Sequence, residues 1–61
     1  MTPEQMAYRA QQAEQLLDRF RRLETEREQA GLYEEALEAR RLRLEQEASV
    51  EYWRSRLSDA A

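Results

Sequence analysis

The sequence predicts an all-α fold, an antiparallel two-helix hairpin that turns at Gly31 and self-associates into a four-helix bundle. Gly31 is the only glycine among 61 residues and lies at the middle of the chain, where a helix C-cap favours a residue that accepts positive φ. The flanking stretches are rich in Ala, Leu, Glu, Gln and Arg and contain no internal proline or glycine, as is typical of long helices. A chain this short buries only about 60% of the surface of its unfolded form, so association with a second chain is expected.

The first helix is expected over about residues 3–30. Thr2 is placed at the N-cap, Pro3 at the first helical position, and Gln5 completes a capping box. Apolar residues then recur at steps of three and four, which puts them on one helix face. The predicted buried stripe consists of Met6, Ala10, Ala13, Leu17 and Phe20.

The second helix is expected over about residues 32–58, with Glu34 and Glu35 in its first turn, where the helix dipole favours acids. We favour one continuous helix; the alternative is a break at Ser49, which could cap a separate short helix. The face expected to pack on the first helix contains Leu32, Ala36, Ala39, Val50, Trp53 and Leu57. Folding the chain at Gly31 places Met6 opposite Leu57, Ala10 opposite Trp53 and Ala13 opposite Val50.

The second helix carries another apolar face that the hairpin itself does not use. Leaving it in water would expose a long apolar strip, so we predict that it pairs two hairpins by two-fold symmetry. The alternative is that these residues are single exposed apolar side chains, which are common on protein surfaces. The predicted oligomer interface consists of Tyr33, Leu37, Leu44, Ala48 and Tyr52.

All ten basic residues are arginines, and several are expected to form a belt around the middle of the hairpin. Such a belt suits an acidic partner or phosphates, although arginines near glutamates on a solvated face also form simple salt bridges. Arg27 and Arg43 lie near the apolar stripes and are expected to pair with Glu45 or Glu47 of a second chain. The candidate partner-binding residues are Arg19, Arg22, Arg40 and Arg43.

The composition argues against catalysis. The chain contains no histidine and no cysteine, so the usual general base, zinc ligand and disulfide are missing. Its carboxylates are predicted on solvated faces rather than in a pocket, and we expect no enzyme activity, metal or cofactor. A net charge of -3 gives no bulk attraction to nucleic acid or anionic lipid. Without an apolar run of about 20 residues or a signal-peptide pattern, we expect a cytoplasmic protein.

The segment from Gly31 to Ala39 resembles the start of the second helix of a tetratricopeptide repeat. That pattern reads Gly-x-Tyr-x-x-Ala with an aliphatic residue next, and Phe20 and Leu23 match the aromatic and leucine of its first helix. The match covers about half of one repeat, and one repeat cannot stack into a solenoid. The chain departs from the pattern at Glu24, Arg27, Arg40, Arg43 and Ala48.

The same turn is similar to the UVR hairpin of nucleotide-excision repair and Clp-associated proteins. In that family an aromatic-Glu-x-Ala-x-x-x-Arg segment opens the second helix, which Tyr33-Glu34-Glu35-Ala36 and Arg40 match, whereas Arg41 stands where the family has an acidic residue. Hairpins of this family associate in pairs into a small bundle. Either resemblance implies protein–protein docking.

The sequence therefore predicts a protein-interaction module: a self-associating hairpin that acts as an adaptor, a small chaperone-like subunit or a regulatory subunit. Its expected partners are a second copy of the chain and a larger protein. The alternative is a nucleic-acid-binding regulator that uses the arginine belt of a dimer. A further possibility is a half-bundle that folds only on a different protein.

Overall fold

A computed structural model of the chain describes residues 1–60. It contains two α-helices, α1 (Pro3–Gln29) and α2 (Tyr33–Ala60), which pack against each other as an antiparallel hairpin. The hairpin and its turn at Gly31 agree with the sequence prediction. Helix α1 ends one residue before the predicted end, and α2 continues two residues past Ser58.

Helix α1 begins with the predicted capping box. The backbone N–H of Gln5 donates to the Thr2 hydroxyl at 3.1 Å, and the Thr2 N–H donates to the Gln5 side-chain oxygen at 2.9 Å. Pro3 follows the cap, where its missing N–H costs nothing because the first turn has no intrahelical acceptor for it. The start of α1 is therefore determined by four consecutive residues.

The turn between the helices is a Schellman motif centred on Gly31. The N–H of Gly31 donates to the Glu28 carbonyl at 3.1 Å, and the N–H of Leu32 donates to the Arg27 carbonyl at 2.9 Å. This arrangement requires a left-handed residue after the helix, and Gly31 has a φ of 76°. The lone glycine thus ends α1 and reverses the chain.

Helix α2 starts without a side-chain cap. Leu32 occupies the N-cap position, and its carbonyl accepts from the Ala36 N–H at 2.9 Å. Glu34 and Glu35 lie in the first turn, where their charges are favourable next to the helix dipole. The helix runs through Ser49 without interruption, which confirms the continuous helix that we favoured over a break.

The helices meet along a seam, which we define by residues spaced four and three apart on the facing sides. Such spacing keeps side chains on one helix face, and most of the predicted stripe is buried there. Ala39 is completely buried, and Val50 packs with Ala13 and Leu17 at the centre. On α1 the seam comprises Met6, Ala10, Ala13, Leu17, Phe20 and Glu24; on α2 it comprises Ala36, Ala39, Arg43, Gln46, Val50, Trp53 and Leu57.

The register of the hairpin differs from the predicted one. Val50 meets Ala13 as expected but also Leu17. Folding the chain at Gly31 would place Arg43 opposite a residue about one helical turn before Glu24, whereas the structure pairs Arg43 with Glu24. Helix side chains lean toward the N-terminus of their own helix. Because α1 and α2 are antiparallel, this lean moves contacts such as Leu17 with Val50 and Glu24 with Arg43 to higher residue numbers on both helices.

The hairpin is a thin rod, with Cα extents of 45 × 13 × 13 Å. Two helices side by side cannot enclose a core on all sides, and no large side chain among residues 1–60 is completely buried. Neither helix in this range has enough length and apolar character to cross a membrane. The surfaces of the hairpin that are open to a partner are its two open sides and the outer surfaces of the helices.

Candidate protein-interaction surfaces

The seam contains one charged interruption. The Arg43 guanidinium donates from Nε to Glu24 Oε2 at 2.9 Å and from Nη1 to Glu47 Oε1 at 2.8 Å. The hydrogen bonds to Glu24 and then to Glu47 raise the pKa of Arg43 above its usual value, because they stabilise the charged form. We expected Arg43 to pair with Glu45 or Glu47 of a second chain; in the structure it pairs with Glu47 and Glu24 of its own chain.

One open side of the hairpin carries the other ion pairs between the helices, and we call it the ion-paired side. Arg54 pairs with Glu14, and Arg21 Nη2 lies 3.6 Å from Glu47 Oε1. Each of these residues follows a seam residue directly, and one step in an α-helix turns by about 100°. The flanks that follow the seam on α1 and α2 therefore share this side. Leu17 and Val50 line the depression between them.

The opposite open side is formed by the flanks that precede the seam residues, and we call it the apolar side. Leu16 and Leu23 lie on this flank of α1, and Leu42 lies on the matching flank of α2. The seam residues Phe20 and Trp53 stay partly exposed next to them. The apolar side thus comprises Leu16, Phe20, Leu23, Leu42 and Trp53.

Trp53 belongs to an aromatic cluster near the open end of the hairpin. The Tyr52 and Trp53 rings are in edge-to-face contact, with centroids 4.9 Å apart at an interplanar angle of 78°. The Arg56 guanidinium carbon lies 5.7 Å from the centroid of the Tyr52 ring, within reach of a cation–π interaction. Trp53 and Arg56 line one depression together with Met6, which places them on the same side of the hairpin.

The predicted oligomer-interface residues lie on α2 outside the seam, and we call this set the outer stripe. Tyr33 is 71% exposed, Leu37 62% and Leu44 48%. Ala48 and Tyr52 complete the stripe and are also exposed. The structure therefore leaves the outer stripe exposed within the hairpin. Tyr52 also borders the apolar side, because it lines one depression together with Met6 and Trp53.

The four candidate arginines do not form one patch. Arg43 is engaged in the seam. Arg19 precedes the seam residue Phe20 and lines one depression with Leu16, so it lies on the apolar side, whereas Arg22 is exposed on the outer surface of α1. Arg40 follows the seam residue Ala39 on α2 and is exposed. Because the four side chains point in different directions around the rod, the predicted belt is divided between several surfaces.

Glu24 and Leu42 were missed by the reasoning from sequence. Glu24 lies four residues after Phe20, which continues the seam spacing, but a charged residue there was assigned to the solvated tip. Leu42 was assigned to neither apolar face of the second helix. The signal that could have found Glu24 was strict continuation of the four-three spacing along each helix, followed by a search for opposite charges at matching levels. Leu42 could have been found by examining the residues that directly precede each seam position.

Comparison with protein-family models, with curated proteins and with solved structures finds no match to this chain. The resemblances to a tetratricopeptide repeat and to a UVR hairpin accordingly stay predictions. Among residues 1–60, no group of three or more His, Cys, Asp or Glu side chains is arranged to hold a metal ion. The argument for function rests on the hairpin's own surfaces.

Proposed function

We propose that this hairpin is a protein-interaction module that self-associates and then docks, as an adaptor, chaperone-like or regulatory subunit, on a larger protein. The observation that carries the proposal is the exposure of its large apolar side chains. Tyr33, Leu37 and Leu44 are each about half exposed or more, whereas four of the seven buried residues are alanines. Apolar area of this kind on so small a chain favours association.

The energetics of the core support the same proposal. Full burial of a large aliphatic side chain contributes about 1.5–3 kcal/mol, and the buried core contains few such side chains: Met6, Leu17 and Val50. Domains of this size are marginally stable even with larger cores. A second chain that covers more apolar surface supplies the missing stabilisation.

The number of apolar surfaces supports two kinds of partner. Leu37 and Leu44 each follow a seam residue of α2 directly, whereas the apolar side is formed by the flanks that precede the seam, so one partner helix cannot cover both. A second copy on one surface and a larger protein on the other account for both surfaces. The proposed function is therefore binding at two sites, with self-association as its first step.

The test of self-association is the absolute mass in solution. Light scattering over a concentration series, with circular dichroism on the same samples, should show a highly helical dimer or tetramer that loses helicity on dilution. A helical monomer at every concentration would contradict the proposal. A weakly helical monomer would instead favour a half-bundle that folds on a different protein.

The alternative, nucleic-acid binding through an arginine belt, has less support. Of its four candidate residues, Arg43 is held by Glu24 and Glu47, and the others are directed to different surfaces. Binding driven by arginine–phosphate contacts would weaken steeply with salt. A salt-dependent mobility shift of DNA or RNA at low salt, lost on Arg40→Ala, would revive this alternative.

A further inference from the structure

We propose that a second copy of this chain packs antiparallel on the apolar side, so that two hairpins form a four-helix bundle that leaves Leu37 and Leu44 of the outer stripe outside it. This inference rests on the proposed self-association. It differs from the sequence-based expectation in the surface used, since the sequence assigned the second copy to the outer stripe.

The first argument is the position of each surface relative to α1. The outer stripe belongs to α2 alone, so two hairpins joined through it would place most of α1 of each copy outside the contact. The apolar side is formed by both helices, with Leu16 and Leu23 from α1 and Leu42 from α2. A second copy on this side contacts both helices at once, which is the arrangement of a compact four-helix bundle.

The second argument is that the apolar side is self-complementary. Cross-helix contacts place Phe20 at the level of Glu47, because Leu17 meets Val50 and Glu24 meets Arg43. Leu16 and Leu23 are nearly equidistant from this level on α1, as are Leu42 and Trp53 on α2.

A two-fold axis at this level, perpendicular to the helices, therefore brings Leu16 opposite Leu23 of the second copy. It also brings Leu42 opposite Trp53 of the second copy. Two-fold interfaces between identical chains require this reciprocity, in which each member of a pair occurs once on either side of the axis.

The third argument is charge complementarity. Glu38 and Arg56 each precede a seam residue on α2, so they lie on the flank that forms the apolar side, near its opposite ends. The same axis brings Glu38 of one copy to Arg56 of the other. If the turns of both copies lay at the same end of the dimer, Arg56 would instead face the N-terminal part of α1 of the other copy. Arg9 lies there on the corresponding flank. Arg19 precedes Phe20 on the same flank, so the antiparallel two-fold axis also brings the two Arg19 side chains together. The two pairs of Glu38 with Arg56 outnumber this single like-charge contact, and charge favours the antiparallel arrangement.

The fourth argument is size. The rod is 45 Å long, and two adjacent helices, each about 10 Å across, give one side of it an area of about 900 Å². A stable interface of standard size buries about 800 Å² on each partner. The apolar side is therefore large enough to hold a second copy, provided that the contact extends along most of its length.

The first experiment compares two exposed leucines on different surfaces. Leu16 is 37% exposed on the apolar side, and Leu44 is 48% exposed on the outer stripe. By sedimentation equilibrium, Leu16→Arg should raise the dimer dissociation constant by about 100-fold or more, because each dimer loses two buried leucines. The matched control, Leu44→Arg, should leave the dissociation constant within about threefold.

The second experiment tests the direction of pairing with residues outside the core. Arg56→Glu and Glu38→Arg should each weaken the dimer by about threefold to tenfold, as for exposed ion pairs. The double variant should restore the wild-type dissociation constant. Residues 38 and 56 are about 27 Å apart along α2, so a restored pair cannot form within one chain.

The outcomes separate this inference from the proposed function. Wild-type chain that stays monomeric overturns both. A dimer that is disrupted by Leu44→Arg and not by Leu16→Arg leaves self-association standing and overturns the assignment to the apolar side. A dimer that is strengthened by Arg56→Glu overturns the antiparallel arrangement, since that result places Arg56 near Arg9. If Leu16→Arg unfolds at low concentration, recovery of helicity at high concentration shows that the loss is one of association.

Discussion

At the scale of single residues, the pair formed by Glu24 and Arg43 is the main departure from an apolar seam. The two charges form an ion pair, and Glu47 accepts a further hydrogen bond from Arg43. Since these bonds raise the pKa of Arg43, its contribution to stability, while its carboxylate partners are ionised, is complete below its ordinary pKa and is lost at more alkaline pH. A slip of one turn would leave each charge against apolar seam residues, so the pair favours a single register.

We predict that replacing both partners, Glu24→Leu with Arg43→Leu, raises the melting temperature, because apolar side chains then fill the seam without desolvating a charge. Glu24→Leu alone should lower it, because Arg43 then loses its partner across the seam. Thermal unfolding followed by circular dichroism at one fixed concentration checks both. Glu14→Leu with Arg54→Leu is the exposed control and should change the melting temperature little. A double seam variant that melts below the single one would refute this reasoning.

At the scale of elements, the turn determines how α1 and α2 are joined. Gly31 has a φ of 76°, and a Cβ added there would meet no atom within 4 Å. The requirement for glycine is therefore one of backbone conformation and not of space. The hydrogen bonds of the Schellman motif hold the chain in this conformation, so the direction in which α2 leaves α1 depends on one residue.

Gly31→Ala is expected to destabilise the hairpin by about 1 kcal/mol, because an L-residue with a Cβ is strained at positive φ. Gly31→Asn should cost less, since asparagine accepts the left-handed region more readily. Chemical denaturation of the three proteins at equal concentration gives the comparison. Equal stability of all three would mean that the turn adopts another conformation in solution.

At the scale of the whole molecule, the hairpin has more apolar surface than its own packing covers. The seam is rich in alanine, which brings the helices together without burying much area, and the large side chains lie at its edges or outside it. Folding and association are therefore expected to be coupled, with the folded hairpin stabilised by whatever covers its apolar side.

Coupling of this kind predicts a melting temperature that depends on protein concentration. Because a dimer is favoured by mass action, each tenfold increase in concentration adds about 1.4 kcal/mol to the stability of the dimer, and the melting temperature should rise by a few degrees. Calorimetry or circular dichroism over a hundredfold range measures this slope. A melting temperature that is constant over that range would indicate an independently stable monomer.

Local sequence signals are enough to predict the two helices, their turn and most of the seam. Thr2, Pro3 and Gln5 determine the start of α1 through local hydrogen bonds, and Gly31 determines the turn through its own backbone freedom. The four-three spacing of apolar residues identifies the buried face of each helix separately. These features depend on residues close to each other in the chain, so they can be predicted from sequence.

The register of the two helices, and the choice of which flanks lie on the same side, depend on how α1 and α2 pack together. The lean of the side chains displaced the contacts by about one turn, which paired Arg43 with Glu24 and left Leu42 on the same side as Leu16. Sequence periodicity gives angles around one helix axis, whereas the division into an ion-paired side and an apolar side depends on the position of both axes. That relation is determined by the packing of the seam, which joins residues far apart in the chain.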